Sequence, residues 1–183
     1  MVLEHATAAD YPEIIKLVNA AYCGVDDTVR SWNLETGILE GTRTDDSLLR
    51  EEASAPGAHL LIHRDPDDGS ILGTVLLVPA EDGSWYLGML TVRPALQNRQ
   101  LGRTLLAAAE DFAKASGALA IRMGVLNVRE ALIAWYERRG YARNGKTEAF
   151  PYGDGRFGKP LRDDLEFVML EKRLQVGLLR LRL

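Results

Sequence analysis

Apolar residues recur along the chain at two different periods. Ile14, Ile15, Leu17, Val18 and Tyr22 share one face at helical spacing, behind Thr7-Ala-Ala-Asp10, a capping-box-like start in which Asp takes the place of Glu. The pattern predicts a short strand over Val2–Ala6 and a helix over roughly residues 9–22. Residues 24–43 are expected to be mostly irregular, and a second helix begins after Thr44 and runs through Leu48, Leu49 and Glu52. Three strand-like runs follow, His59–Arg64, Ile71–Val78 and Trp85–Val92. The turn clusters Asp65-Pro-Asp-Asp-Gly69 and Glu81-Asp-Gly83 separate them, which predicts an antiparallel meander. A helix over about Gly102–Ser116 is stopped by Gly117, a strand covers Leu119–Val125, and a helix over Arg129–Arg139 is closed by Gly140. Tyr141–Phe150 and Glu166–Leu174 are the last strands. Between them lies a Gly- and Pro-rich segment, Pro151–Pro160, too long for a simple hairpin turn.

The resulting order is β-α-α-β-β-β-α-β-α-β-β. It describes a single α/β domain over residues 1–174, with a mixed, mostly antiparallel sheet flanked by helices, followed by an apolar tail at 175–183. A chain of 183 residues suits one such domain. Its 22 basic and 26 acidic side chains leave a net charge of −4, so no broad basic face and no nucleic-acid partner are expected. Cys23 is the sole cysteine, which excludes an internal disulfide and a cysteine-based zinc cage. With only His5, His59 and His63 as histidines, no metal centre is expected. No apolar run is long enough to span a membrane, and the N-terminus lacks a basic region ahead of an apolar core, so a cytoplasmic protein without a signal peptide is the expectation.

The most informative segment runs from Leu90 to Leu106. A strand ends at Val92, a polar loop follows, and a helix starts near Gly102. A helix N-terminus presents unsatisfied backbone N–H groups and a positive partial charge, so it can hold a phosphate. Gly102 leaves room for close approach, and Arg99 and Arg103 add positive charge. Taken by itself, the loop is equally compatible with an ordinary strand-to-helix connection carrying solvated arginines.

Val92-x-Pro94-x-x-Gln97-x-x-Gln100-x-Gly102 resembles motif A of the GNAT superfamily of N-acetyltransferases, with Gln100 where that family usually has its first glycine. Asn127-x-x-x-Ala131-x-x-x-x-Tyr136-x-x-x-Gly140-Tyr141 resembles motif B, and the element order over residues 2–174 is similar to that of the family. The resemblance implies an N-acetyltransferase with acetyl-CoA as cosubstrate, acting by direct attack of an amine in a ternary complex. It implies that the strand ending at Leu90, Thr91 and Val92 splays from Leu119–Val125 to admit the pantetheine arm. The backbone amides of Asn98, Arg99, Gln100, Leu101, Gly102 and Arg103 then cradle the pyrophosphate, with Gln97 and Thr104 in the same cofactor-binding set, and Asn127 contacts the cofactor arm. Tyr136 would protonate the leaving thiolate, and a backbone amide, that of Leu90, would hold the oxyanion.

No general base is assigned. Gly88 stands where many relatives carry a carboxylate; Glu148, Asp154, Glu166 or a water chain are the substitutes on offer. Trp32, Glu35 and Arg43 fall on one wall of the expected acceptor pocket and Phe150, Tyr152 and Phe157 on the other, where the aromatics either meet an acceptor or close a satellite core. Of these, Trp32, Arg43 and Tyr152 are the candidate substrate residues. A lid of roughly fourteen residues between the last strands favours a small-molecule amine. A protein or peptide amine, or a catalytically silent acyl-CoA-binding domain, stays open, as does acyl-chain length. The tail at 175–183 suggests either a homodimer contact or packing on its own domain.

Overall fold

The computed structural model describes residues 1–23, 34–35, 37–97 and 99–174. Trp32, Asn98 and the tail at 175–183, all singled out from the sequence, lie outside the described residues. The elements in chain order are β1 (Glu4–His5), α1 (Tyr11–Cys23), β2 (Leu39–Glu40), α2 (Asp46–Ala53), β3 (His59–Arg64), β4 (Ile71–Pro79), β5 (Ser84–Val92), a 3-10 turn at Pro94–Leu96, α3 (Leu101–Ala115), β6 (Ala120–Leu126), α4 (Glu130–Glu137), β7 (Ala142–Ala149), β8 (Lys159–Pro160) and β9 (Glu166–Arg173).

Seven strands form one sheet in the order β1-β3-β4-β5-β6-β9-β7. Successive side chains on a strand face opposite sides, and here both sides are covered. Leu60 and Ile62 of β3 pack with Ile14, Leu17 and Val18 of α1 and Leu49 of α2. Leu61, between them, joins Leu105, Leu106 and Ala109 of α3 and Ile133 of α4 on the other face. Burial on both sides explains why β3 and β4 read as near-continuous apolar runs.

The start of α1 uses half of a capping box. The Asp10 carboxylate accepts from the Thr7 amide at 2.8 Å and from the Thr7 hydroxyl at 3.0 Å, so the hydroxyl donates to the acid. One expectation needs correction. The stretch before α2 is not wholly irregular, because Leu39–Glu40 pairs antiparallel with Lys159–Pro160 from the long connection. That pairing brings Gly158 against β2. Its φ is +82°, and a Cβ there would stand 2.5 Å from the Glu40 carbonyl oxygen, so only glycine fits. Leu126, Phe150 and Leu165 make a third, smaller core with Ile38, Leu39, Phe157 and Phe167, anchoring the connection. Among the described residues, no helix is long and apolar enough to cross a membrane.

Candidate active site

The site begins where two strands part. The pairing of β5 with β6 is the parallel one, and it holds only from Ser84–Tyr86 against Ala120–Arg122. Beyond Tyr86 the strands separate. On the other edge of β5, Met89 and Leu90 together oppose Val75 of β4, a bulge in which Met89 takes a φ of +51°. Such a bulge bends its strand and re-aims the groups that follow it.

A cleft of about 610 Å³ opens at this gap. Leu90 and Val92 line it from β5, Gln97, Gln100, Gly102 and Arg103 from the loop and the first turn of α3, and Trp135, Tyr136, Arg138 and Arg139 from α4 and the residues just beyond it. Gly102 keeps the helix start open; a Cβ there would sit 3.8 Å from the side chains of Trp135 and Val92, between two other walls of the cleft. The Gln97 side-chain amide donates to the Val92 carbonyl at 3.4 Å, and the Thr104 hydroxyl to the Gln100 carbonyl at 3.2 Å, so both residues brace the loop.

Not every residue of the expected cofactor set faces the cleft. Thr91 is buried within the sheet and donates its hydroxyl to the Met89 carbonyl at 3.1 Å. Leu101 packs on the main core, and Arg99 is exposed outside the lining. Asn127 spends its side chain on the backbone: Nδ2 donates to the Asp164 carbonyl at 2.9 Å and Oδ1 accepts from the Glu166 amide at 3.2 Å. It clamps the entry to β9 and does not line the cleft.

Sequence reasoning missed Arg138 and Arg139. They read there as ordinary basic residues at the end of a helix, where cations are favoured anyway. The Arg139 guanidinium lies 3.5 Å from the Trp135 ring centroid and donates to the Trp135 carbonyl at 2.5 Å, while its Nε is buried without a partner among the described residues. Three arginines at one end of a cleft suit a polyanionic ligand.

Tyr136 lines this cleft and also a second, smaller cavity of about 80 Å³ behind it. Its ring meets Trp135 and Tyr141 edge-on, at 5.0 and 5.6 Å, and its hydroxyl makes no hydrogen bond among the described residues. Burial pushes the phenol far above its ordinary pKa, so it is a protonated donor at every working pH.

The second cavity contains Tyr22, Glu35, Arg43, Tyr86, Arg129, Phe150, Phe157 and Phe167 among its walls. Glu35 ion-pairs with Arg129 at 3.3 Å, the two side chains being 10% and 8% exposed. Burial raises the Glu35 pKa, opposed by the Arg43 and Arg129 charges. None of Glu148, Asp154 and Glu166 lines the cavity; Asp154 instead accepts from the Arg156 amide at 2.8 Å. At Gly88 the Tyr86 ring fills the space, since a Cβ would meet Tyr86 Cε1 at 3.0 Å. Of the expected substrate residues, Arg43 lines the cavity. Tyr152 does not; its hydroxyl accepts from the Leu165 amide at 2.8 Å and its ring packs on Phe150.

The model of the acetyltransferase (GNAT) family matches residues 26–141, well over half of the chain. The chain belongs to the GNAT acetyltransferase family. This family uses acetyl-CoA as cosubstrate and acts on amines of small molecules or of proteins. No curated protein sequence matches the chain. Among solved structures, the ribosomal-protein-alanine N-acetyltransferase from Brucella melitensis aligns at 23% identity and a TM-score of 0.66, over 95% of this chain and 100% of that one. The ribosomal-protein-S18-alanine N-acetyltransferase from Escherichia coli aligns at 14% identity and 0.67, over 100% and 99%. Chaetomium thermophilum Naa20, in complex with a bisubstrate analogue, aligns at 20% and 0.62, over 98% and 90%. At these identities the likeness is one of fold.

The GNAT fold also explains the departure at Gln100. This residue caps α3 at φ +62° and ψ 1°, the left-handed region that glycine enters without strain. A glycine is therefore the unstrained choice, and the backbone reaches the same shape with glutamine at a cost. Gln100→Gly is expected to raise stability by about 1 kcal/mol at most, since relief of the left-handed strain is partly offset by glycine's greater unfolded-state entropy. Thermal unfolding of the variant checks this, and an unchanged or lower Tm would show that the glutamine is not strained.

Proposed function

We propose that the chain transfers an acetyl group from acetyl-CoA to the primary amine of a small molecule, by direct attack in a ternary complex. The observation that carries this reading is the gap beyond Tyr86: it joins the start of α3, with Arg103, Arg138 and Arg139 beside it, to a buried phenol, with a second cavity holding Glu35 behind that phenol. When bound, acetyl-CoA supplies an activated thioester carbonyl.

The residues present fit that cosubstrate. The unpaired edge of β5 past Tyr86 offers main-chain hydrogen-bonding groups to an amide-bearing arm. The first amides of α3, with Arg103, Arg138 and Arg139, suit a diphosphate, and the partnerless Nε of Arg139 is a donor awaiting an acceptor. The Leu90 amide, placed just after the bulge, is the donor for the developing oxyanion. Glu35 receives the proton that the ammonium of the acceptor must lose, and Tyr136 donates to the departing sulfur. The nitrogen lone pair forms the C–N bond and the C–S bond breaks. The sulfur takes the Tyr136 proton, and the nitrogen releases the proton that replaces it.

The pairing of β2 with β8 draws the long connection toward the α1–α2 wall, which favours a small acceptor. A peptide amine is the second reading, supported by the protein acceptors in the names of two structural relatives. Calorimetric titration with acetyl-CoA and with CoA tests the cosubstrate. We expect a Kd in the micromolar range, of the order typical for enzyme substrates, weakened about tenfold or more in an Arg103→Ala/Arg138→Ala variant. Absence of binding at ~1 mM by the unaltered chain would overturn the assignment.

A further inference from the structure

The charges of the second cavity select among amines. Its described lining carries one carboxyl and two guanidinium groups, those of Glu35, Arg129 and Arg43. Glu35 and Arg129 satisfy each other in a buried pair. Arg43 is left over. Its guanidinium lies 4.7 Å from the Phe157 ring centroid and 5.6 Å from that of Tyr22, and among the described residues no carboxylate comes within ion-pair distance of it. Glu52 of α2 feels the Arg43 charge but forms no ion pair with it and does not line the cavity. The backbone behind Arg43 is fixed: the Asn19 Oδ1 accepts from the amides of Arg43 and Thr44 at 2.8 and 3.1 Å, and Asn19 Nδ2 donates to the Thr44 carbonyl at 2.9 Å.

A guanidinium supported by two rings and without an ion-paired carboxylate among the described residues keeps its planar fork of donors for a ligand, and that fork matches a carboxylate. The remaining walls, among them Phe150 and Phe167, are apolar and aromatic. With Glu35 counted as a carboxylate, the described lining has a formal charge of +1, from two arginines against one glutamate. This disfavours a polycation and favours an acceptor that brings its own negative charge. Resting on the acetyl-transfer reading above, we infer that the acceptor is a small amine that carries a carboxylate, an amino acid or a close analogue with an apolar side chain, and that Arg43 is the residue that selects it. The product is then the N-acetylated amino-carboxylate, with free CoA released.

The test uses the full chain with saturating acetyl-CoA and follows thiol release. Acceptors are the apolar and aromatic L-amino acids, their carboxamides, phenethylamine, spermidine and a short peptide with a free N-terminus. We expect kcat/KM for the best amino acid to exceed that for its carboxamide by about tenfold or more, the worth of a charge-assisted hydrogen bond, with spermidine the poorest acceptor. In Arg43→Ala that ratio should collapse toward unity, with Arg43→Lys recovering part of it, while acetyl-CoA affinity by calorimetry is unchanged. Equal rates on acids and carboxamides, a preference for spermidine or for the peptide, or an equal loss on all acceptors in Arg43→Ala would overturn the inference and leave acetyl transfer standing. Failure of acetyl-CoA to bind at all would remove both.

Discussion

Tyr136→Phe is expected to lower kcat by about 10²- to 10⁴-fold, the usual worth of a positioned proton donor, without weakening acetyl-CoA binding. The ring stays in place because its contacts with Trp135 and Tyr141 are edge contacts that phenylalanine keeps. Removing the hydroxyl strands no partner, since it makes no hydrogen bond among the described residues, so the fold should be unaffected. The lost group is a side-chain donor on a residue that lines both the cleft and the cavity behind it. Burial raises the phenol pKa, which makes the hydroxyl a reluctant source of free protons but a permanent hydrogen-bond donor. Its contribution is therefore made as the C–S bond lengthens and the sulfur gains charge, which is a kcat effect. Steady-state thiol release together with calorimetry separates the two parameters. A kcat within about threefold of the parent would take the hydroxyl out of the chemistry. Because the phenol stays protonated, no alkaline limb of the pH profile should vanish in this variant.

Much of the frame is legible along the chain, for identifiable reasons. The strand His59–Arg64 has the same limits in the sequence pattern and in the structure, because a continuous apolar run bounded by turn residues is buried on both faces and leaves its ends no freedom. β2 and β8 are not legible. Two residues cannot display a period, and Lys159–Pro160 includes a residue that local preference keeps out of strands. They pair because the third small core holds the two segments together. The bulge at Met89 is hidden for a different reason. Nothing in Gly88-Met89-Leu90 marks a positive φ on Met89, whose conformation follows from the register of β5 on β4.

The site divides in a similar way. Gly102 and Arg103 stand out from the loop itself, because a helix start after a strand end fixes its own chemistry locally, whereas Gln97 and Gln100 come with the resemblance to motif A; all four line the cleft. Asn127 and Tyr152 show the opposite risk. Each has a side chain suited to a ligand, yet each is spent on a backbone group of the segment entering β9. Glu35 is the converse case. The sequence places it on a wall of the expected acceptor pocket but not among the candidate bases, and its ion pair is with Arg129, 94 residues away in sequence. The Glu35 amide donates to the Tyr22 carbonyl at the end of α1 at 3.0 Å while its carboxyl meets Arg129 at the start of α4, contacts that a sequence pattern does not display.

Glu35→Gln should lower kcat/KM for the amine by about 10²- to 10⁴-fold near neutral pH and leave acetyl-CoA affinity unchanged. The sign of its pH dependence is specific. In the parent, burial raises the Glu35 pKa, so activity should fall as the pH drops through that raised value and the carboxylate takes up a proton before the ordinary carboxylate range is reached. The glutamine variant has no such group and should lose that acid limb. Its deficit should shrink as the pH rises toward the pKa of the amine, because more of the acceptor then arrives already deprotonated. The same raised pKa means that the folded chain holds the Glu35 proton more tightly than the unfolded chain. Stability drawn from this group is therefore largest at low pH and declines as the pH rises through the folded value. Glu35→Ala adds a stability readout: it takes the carboxylate from a buried guanidinium, and a loss of about 3 kcal/mol is expected, the lower end for a broken buried pair because Arg129 keeps other interactions. Glutamine retains an oxygen for Arg129 and should cost less. If Glu35→Gln keeps both its rate and its acid limb while Glu35→Ala is destabilised, Glu35 only holds Arg129 in place and the amine proton leaves through water.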